Sequence, residues 1–198
     1  MKLAGKTIGF GLTGSHCTFA EVMPEIKHLV NEGANVIPII SDSVRTTDTR
    51  FGKTADWQKK LKEITGNEII SAIVDAEPIG PKGLLDLMVI APATGNTVGK
   101  LANAITDTPV LMAAKANLRN LRPLVVAVST NDGLGLNSTN IGKLLATKNI
   151  FFIPFGQDSP YKKPNSLVAK MDLLKDTCES ALEYKQIQPV IIEKFRYN

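Results

Sequence analysis

Small polar side chains follow a buried apolar stretch near the middle of the chain and could bind an anion there. The stretch Leu87–Ala91 has the apolar, β-branched composition of a buried strand and is followed by a proline. The polar loop Thr94–Thr97 comes next, and apolar residues at helical spacing begin at Val98. Hydroxyls, an amide and a glycine therefore stand where a strand stops and a helix begins. Such a position binds anions, because backbone N–H groups and the helix dipole both favour negative charge.

A second loop of this kind, Gly9–Thr18, lies near the start of the chain. Its glycines allow a tight turn, and the hydroxyls of Thr13, Ser15 and Thr18 suit either a phosphate or a helix N-terminus. The glycines match G-x-G-x-x-G by count, and Asp42 stands near the place where a ribose-binding acid is expected. This loop could therefore bind a nicotinamide dinucleotide. Alternatively, its glycines serve packing alone.

A third polar loop, Ser129–Ser138, follows another apolar stretch. All three loops are rich in Ser, Thr, Asn and Gly and nearly free of cations. Such groups suit a phosphate monoester and the polar edge of a ring, and no carboxylate pair points to hydrolysis. We assign no catalytic residue. The residues predicted to bind a cofactor are Gly11, Thr13, Gly14, Ser15, Ser41, Ala93, Thr94, Gly95, Asn96, Thr97, Ser129, Thr130 and Asn131.

The cysteines and histidines are too few for a disulfide framework or a zinc site. The chain has Cys17, Cys178, His16 and His28, so we predict no metal centre. Cys17 precedes a predicted helix, where the pKa of a thiol falls, so it is either a nucleophile or a small loop-filling residue. Cys178 lies on an apolar helical stripe and is predicted to belong to the core.

Two arginines could bind an anionic substrate. Arg45 and Arg50 lie in a long polar segment, and guanidinium groups match carboxylates in geometry, so the pair could clamp a dicarboxylate. Solvation on an exposed loop is the alternative. Trp57 lies on an apolar helix face and is predicted to lie in the core or at a subunit interface.

The loops must be positioned by strands and helices, which are predicted to alternate along the chain. Apolar stretches alternate with helical patterns, which predicts an α/β fold: a three-layer, Rossmann- or flavodoxin-like open parallel sheet with helices on both faces. Such sheets bind ligands at the carboxyl ends of their strands. Strands are predicted at Thr7–Gly11, Asn35–Ile40, Ile69–Val74, Leu87–Ala91, Pro109–Ala113, Leu124–Val128 and Ile150–Ile153. Helices are predicted between Thr18 and Gly33, and at Ala55–Thr65, Ser138–Lys148 and Ser166–Tyr184.

Length and composition fit one folded domain. The 198 residues, 43% of them hydrophobic, predict a single domain at 1–198 that includes a C-terminal tail at 185–198. The net charge of +4 is dispersed and lacks interleaved aromatic residues, so we expect no nucleic-acid partner. No apolar stretch approaches the roughly 20 residues of a membrane helix. The use of cysteine fits a reducing compartment, and we expect a cytoplasmic protein.

The three loops resemble those of a known family. Ala91–Thr97 resembles the Pro-Ala-Ser-Ala-Asn-Thr motif of the FMN-binding flavoproteins that include the homo-oligomeric cysteine decarboxylases. Gly11–Ser15 resembles their first phosphate loop, and Ser129–Asn131 followed by Asn137 resembles their Pro-x-Met-Asn segment. The resemblance extends from Lys6 to Phe155. It implies FMN as the cofactor and a homo-oligomer built from trimers.

Three segments resemble a narrower group, the B subunits of dipicolinate synthases from spore-forming bacteria. They are Phe51–Trp57, Asp75–Lys82 and Ala91–Asp107. Dipicolinate synthase oxidises dihydrodipicolinate to dipicolinate during sporulation, and its A subunit resembles NAD(P)-dependent dehydrogenases. For this chain the resemblance implies an A-subunit partner that carries NAD(P), a small dicarboxylate substrate and a place in the cytoplasm of the mother cell.

Three functions stay open at this point. The chain is a B subunit that takes part in the oxidation, a non-catalytic or regulatory binding subunit, or a stand-alone FMN-dependent decarboxylase. The decarboxylases have a histidine after the second strand, and this chain has none after His28, which argues against the third function. Thr94 and Gly95 stand where the family motif has Ser-Ala, which keeps the second function open.

Overall fold

Seven strands form one sheet in the part of the chain that the computed structural model describes, residues 2–193. Residues 194–198 of the predicted C-terminal tail lie outside the described residues. The strands are β1 (Thr7–Leu12), β2 (Asn35–Ile40), β3 (Leu87–Ala93), β4 (Leu124–Thr130), β5 (Ile150–Phe152), β6 (Phe155–Gly156) and β7 (Leu167–Ala169). Strands β2, β1, β3, β4 and β5 run parallel in that order. Strand β7 pairs antiparallel with the end of β4, and β6 pairs with β7.

Two groups of helices flank the sheet, which confirms the predicted α/β architecture. The helices are α1 (Phe19–Asn31), α2 (Asp42–Thr46), α3 (Thr54–Thr65), α4 (Ile73–Ala76), α5 (Ile79–Lys82), α6 (Gly95–Ala102), α7 (Pro109–Arg119), α8 (Asn137–Leu145) and α9 (Leu174–Leu182). Helix α1 contacts α3 and α9, whereas α7 contacts α4, α5 and α6. Strand β3 is buried throughout and β4 is buried up to Ser129, as expected for a parallel sheet that is covered on both faces.

A glycine in β1 allows a helix to approach the sheet closely. A Cβ atom on Gly11 would lie 2.7 Å from Val110 Cγ1 at the start of α7 and 2.9 Å from Met88 Cε. Both distances are shorter than ordinary van der Waals contact, so a side chain here would push α7 away from the sheet. Gly11 was predicted to bind a cofactor, but it lies inside a strand and its small size is required by packing.

The predicted strand Pro109–Ala113 is wrong, because these residues form the first turns of α7. The Thr108 hydroxyl accepts a hydrogen bond from the Leu111 amide at 3.2 Å and caps the helix, and Pro109 occupies its first turn. Most of α7 is buried between the sheet and neighbouring helices. The five residues of the predicted strand are all apolar, and the exposed residues that mark the helical period, Lys115 and Arg119, lie beyond them. So short an apolar stretch is indistinguishable from a buried strand.

The predicted helix Ser166–Tyr184 is wrong in its first half. Residues Leu167–Ala169 form β7, a 3₁₀ turn covers Met171–Leu173, and α9 occupies only Leu174–Leu182. Strand β7 forms because the end of β4 extends past β5 and has backbone groups free to pair. The pairing partner is remote in sequence, so helical spacing within the segment did not reveal it.

The predicted strand Ile69–Val74 is also wrong. Ile70 makes a single bridge to Ile39 of β2, and the chain then turns into α4 at Ile73. The Ile70 amide donates to the Pro38 carbonyl at 2.9 Å, and the Ile70 carbonyl accepts from the Ile40 amide at 2.9 Å. Two hydrogen bonds at one residue fix the edge of β2 without forming a strand.

Candidate functional site

The carboxyl ends of β1, β3 and β4 lie side by side at one edge of the sheet. The three predicted polar loops follow these strands, so the structure brings the loops together. Topology explains this placement, because parallel neighbours end at the same edge.

Thr13 joins the first two loops. Its hydroxyl donates to the Pro92 carbonyl at 2.6 Å and accepts from the Thr94 amide at 3.0 Å. The residue is 2% exposed. Its only O–H donor is therefore already used inside the protein. Thr13 was predicted to donate to a phosphate, but in the structure its hydroxyl holds the loop that begins at Thr94 through these two hydrogen bonds.

Thr94 caps helix α6. Its hydroxyl accepts from the Thr97 amide at 3.2 Å and lies 3.0 Å from the Thr97 hydroxyl. By helix geometry, the first-turn amides of Gly95 and Asn96 have no acceptor within the helix. These N–H groups are suited to bind an anion.

Gly95 is required because polar side chains from the third loop fill the space beside it. A Cβ atom at this position would lie 2.5 Å from Thr130 Oγ1, 2.7 Å from Asp132 Oδ1 and 2.8 Å from Asn137 Nδ2. These three side chains form a network: the Thr130 hydroxyl donates to Asp132, and the Asn137 amide donates to Asp132 Oδ2 at 2.7 Å. The replacement of alanine by glycine in the motif therefore has a steric reason within this chain.

The first and third loops meet at two serines. Ser15 Oγ lies 2.7 Å from Ser129 Oγ, and either hydroxyl can be the donor. His16 follows Ser15 in sequence, yet its ring packs against Phe19 with 4.9 Å between ring centroids. Burial lowers the pKa of His16, and its Nδ1 has no hydrogen-bond partner among the described residues. The Ser15 hydroxyl also lies 3.8 Å from Cys17 Sγ, so its partners are Ser129 and Cys17 rather than a histidine base.

A cleft of about 450 Å³ opens between the three loops and the β6–β7 connection. Of the residues predicted to bind a cofactor, it is lined by Gly14, Ser15, Thr94, Gly95, Ser129, Thr130 and Asn131. The other lining residues are Cys17, Thr18, Glu21, Asp158, Lys163, Ser166 and Val168. Sequence reasoning missed the wall after β6, because that segment reaches the cleft only through the antiparallel pairing of β7 with β4.

Six predicted residues do not line the cleft: Gly11, Thr13, Ser41, Ala93, Asn96 and Thr97. Ala93 is buried in β3, and Asn96 is exposed on α6. The Ser41 hydroxyl lies 3.0 Å from the Ser43 hydroxyl, and a Cβ on Gly14 would lie 2.7 Å from Ser43 Oγ. Ser41 therefore supports the first loop through Ser43.

The two arginines predicted to clamp a substrate also lie away from the cleft. Arg45 pairs with Asp42 at 3.0 Å on α2 and borders a separate surface depression. Arg50 lies over the ring of Phe51, 4.9 Å from its centroid. Lys163 is the one cation among the described residues that line the cleft.

Trp57 lies where the sequence predicted, against the hydrophobic core. It packs edge-on against Phe19 with 5.4 Å between ring centroids. Among residues 2–193, no group of three or more His, Cys, Asp or Glu side chains could hold a metal ion. Within the same residues, no helix has the length and apolarity needed to cross a membrane.

The two cysteines differ sharply in environment, which predicts selective modification. Cys17 is exposed in the cleft, whereas Cys178 is completely buried, and burial raises the pKa of its thiol. We expect an aromatic disulfide reagent to titrate one thiol in the folded protein and two in denaturant, because the thiolate is the reactive form. Cys17→Ser should abolish the reaction of the folded protein. Reaction of the folded Cys17→Ser variant at the original rate would contradict the prediction.

Together, the mostly parallel sheet and its edge of polar loops define an α/β protein of the flavodoxin-like class. The Flavoprotein family matches residues 1–195. The B subunit of dipicolinate synthase from Bacillus subtilis is 62% identical over 99% of this chain and 98% of its own length. The chain belongs to the Flavoprotein family and, within it, to the group of dipicolinate synthase B subunits.

Solved structures agree with this assignment. The crystal structure of the dipicolinate synthase B subunit from Bacillus halodurans is 60% identical and superposes with a TM-score of 0.91, covering 98% of this chain and 100% of that one. The FMN-dependent cysteine decarboxylase SpaF shares 17% identity with a TM-score of 0.65, covering 91% of this chain and 99% of that one. The second likeness concerns the fold alone.

Proposed function

We propose that this chain binds FMN in the cleft and acts as the B subunit of a two-subunit dipicolinate synthase. The observation that carries the proposal is the meeting of the three polar loops at one edge of the sheet, with Ser15 and Ser129 2.7 Å apart. Membership of the Flavoprotein family and the identity with dipicolinate synthase B subunits support the choice of cofactor and reaction.

The residues in the cleft fit a flavin phosphate. Ser15 and Ser129 supply hydroxyls, and the first turn of α6 supplies the amide of Gly95. The cleft volume of about 450 Å³ is in the usual range for cofactor pockets. When bound, FMN would supply an acceptor for hydride.

The proposed reaction is the oxidation of dihydrodipicolinate to dipicolinate, in which the ring loses a hydride and a proton. The proposed partner is an A subunit that carries NAD(P). The proposed location is the cytoplasm of the mother cell. The contribution of this chain is to bind and orient the reacting molecules between the three loops. We also propose that the chain assembles as a homo-oligomer built from trimers.

Replacing either serine should weaken FMN binding. We expect Ser15→Ala and Ser129→Ala each to raise the dissociation constant about tenfold or more, because each removes one hydroxyl from a charged phosphate. Quenching of FMN fluorescence during titration measures the affinity. Ser138→Ala is the matched control, since Ser138 is exposed and does not line the cleft. Equal affinity in all four proteins would contradict the placement of the phosphate.

The reaction itself is tested by measuring dipicolinate formation with each subunit alone and with both together. We expect substantial activity only when both subunits are present and FMN has been added. Full activity of the A subunit without this chain would overturn a catalytic role.

One observation favours a second candidate, a non-catalytic binding subunit. The Asp132 carboxylate lies beside Gly95 at the start of α6, where its negative charge opposes that of a phosphate. A protein that stays colourless after FMN addition, yet binds the A subunit, would favour this candidate over the first.

A further inference from the structure

A groove of about 870 Å³ lies at the edge of the sheet opposite the cleft. Two of its lining residues show the position: Leu121 comes shortly before β4, and Asn149 comes directly before β5. The groove is therefore at the amino ends of these strands, whereas the cleft is at the carboxyl ends of β1, β3 and β4. A molecule held in the groove leaves the cleft open.

Two large side chains are exposed in the groove at backbone positions that favour glycine. Leu121 follows α7 with φ of +58°, and Tyr184 follows α9 with φ of +57°. Leu121 is 70% exposed and Tyr184 is 54% exposed. The left-handed conformation is unfavourable for a residue with a Cβ atom, so glycine is the usual residue there. In this chain Gly33 occupies the equivalent position after α1, with φ of +85°.

Hydrogen bonds show that the left-handed conformation is required by the way both helices end. The Leu121 amide donates to the Leu118 carbonyl at 2.9 Å, and the Arg122 amide donates to the Asn117 carbonyl at 3.2 Å. Helix α9 ends with the same two bonds around Tyr184. This pair of bonds is the Schellman motif, in which the residue after the C-cap is left-handed. Folding alone therefore favours glycine at both positions, and two bulky side chains held in solvent there point to a function.

The two helix ends meet and form one apolar surface. The Tyr184 hydroxyl donates to the Leu121 carbonyl at 3.2 Å, and the Asn149 side-chain amide donates to the same carbonyl at 3.1 Å. Leu145, which is 41% exposed, and Val190 line the same groove. A contiguous exposed apolar surface of this kind is typical of a protein interaction site, and tyrosine is enriched among the residues that dominate such sites.

The charges in and beside the groove are mainly positive. Lys148 is the one charged residue among the described residues that line it. Next to Tyr184, the Glu183 carboxylate pairs with two lysines, Lys2 at 2.8 Å and Lys185 at 3.3 Å. Two cations thus meet one carboxylate at the rim, and Lys148 adds a third cation. The complement of this surface is an apolar segment that carries carboxylates.

The same charges argue against two occupants from this chain. An isologous contact between two copies brings two positive grooves together, and each copy has a net charge of +4. Residues 194–198 bring Lys194 and Arg196, which have the same sign as the lysines of the groove. A different and more acidic chain fits better.

We propose that the groove is the docking site for an apolar, carboxylate-bearing segment of the A subunit, with Leu121 and Tyr184 as its main contacts. That the partner is the A subunit rests on the proposed function. Docking at the amino ends of the strands leaves the carboxyl-end cleft accessible, so the complex keeps the affinity for FMN that this chain has alone.

Titration of the purified A subunit with this chain tests the docking site by calorimetry. Leu121→Asn and Tyr184→Asn should each weaken binding about tenfold or more, because each removes a large apolar contact. Asparagine tolerates the left-handed conformation, so these variants keep the helix ends. Lys148→Gln should weaken binding most at low salt, since exposed charges are screened at high salt. Leu136→Asn is the control, because Leu136 is 91% exposed and lies outside the groove lining.

Leu121→Gly separates docking from folding. Glycine removes the left-handed strain and an exposed side chain, so the melting temperature should rise by about 2–4 °C while the affinity for the A subunit falls. Ala104→Gly is the matched control. Ala104 ends α6 in the same motif with φ of +58° but does not line the groove, so its replacement should raise the melting temperature without a change in affinity.

The proposal and the proposed function fail in different ways. If the A subunit binds the unchanged chain, Leu121→Asn and Tyr184→Asn with equal affinity, the docking site is wrong and the two-subunit function stands. If the A subunit does not bind the unchanged chain, the two-subunit function is wrong as well. Altered self-association of these variants in sedimentation, with unchanged binding of the A subunit, would assign the groove to a second copy. A melting temperature lowered alike by Leu121→Asn and by removal of residues 194–198 would assign it to that segment. FMN titration of the same proteins is a separate measurement and should show no change.

Discussion

Thr13→Val will unfold with a free energy about 2–4 kcal/mol lower than the unchanged protein, because a buried donor and a buried acceptor lose their partner together. The hydroxyl of Thr13 holds both the Pro92 carbonyl and the Thr94 amide. Valine has nearly the shape of threonine, so the loss isolates the two hydrogen bonds. Urea denaturation measures the change, and FMN affinity should fall as the loop at Thr94 loosens.

Thr13→Ser is the matched control for this variant. Serine retains the hydroxyl, so we expect it to keep most of the stability that valine loses. If valine and serine unfold at the same urea concentration, the bridge between the first two loops contributes nothing and the assignment of Thr13 is wrong.

Gly95→Ala should both destabilise the fold and weaken FMN binding. The added Cβ would lie within 2.8 Å of Thr130, Asp132 and Asn137, whose side chains are held by hydrogen bonds to one another. Overpacking of this kind costs about 1–3 kcal/mol. The first turn of α6 must shift to relieve the contact, and its free amides shift with it. Urea denaturation and flavin titration measure the two effects.

Gly142→Ala provides the control for a glycine in a helix. A Cβ at Gly142, in α8, meets nothing within 4 Å, so alanine should stabilise the protein by about 0.5–1 kcal/mol through helix propensity. Opposite signs for the two glycines are the expected result. If the Gly95→Ala protein is as stable as the Gly142→Ala protein, the side chains of Thr130, Asp132 and Asn137 move aside without loss of stability, and the prediction is wrong.

Much of the fold could be predicted from local pattern. The buried strands β1, β3 and β4 and the helices α1 and α8 have apolar patterns of their own, so each is readable without knowledge of its neighbours. The wrong predictions concern segments that have no such pattern of their own. The first turns of helix α7 are apolar at every position, and β7 exists only because β4 offers it free backbone groups.

For the candidate site, too, local sequence pattern predicted some features and only the tertiary structure showed the others. The sequence by itself predicted that three polar loops follow strands at one edge of a parallel sheet, because alternation of strand and helix leaves such loops there. The structure showed that the three strands are neighbours. Only the tertiary structure decided which hydroxyls lie in the cleft. Thr13 is occupied by hydrogen bonds within the chain, whereas Ser15 and Ser129 face the cleft.

The tertiary structure also decided what closes the cleft. Lys163 and Ser166 are remote in sequence from all three loops, and a two-residue pairing at the end of β4 brings them there. A contact between distant residues depends on shape and on free backbone partners, and neither has a local period in the sequence. The sequence therefore predicted a class of ligand for the loops, and the packing of the whole chain decided which side chains line the cleft.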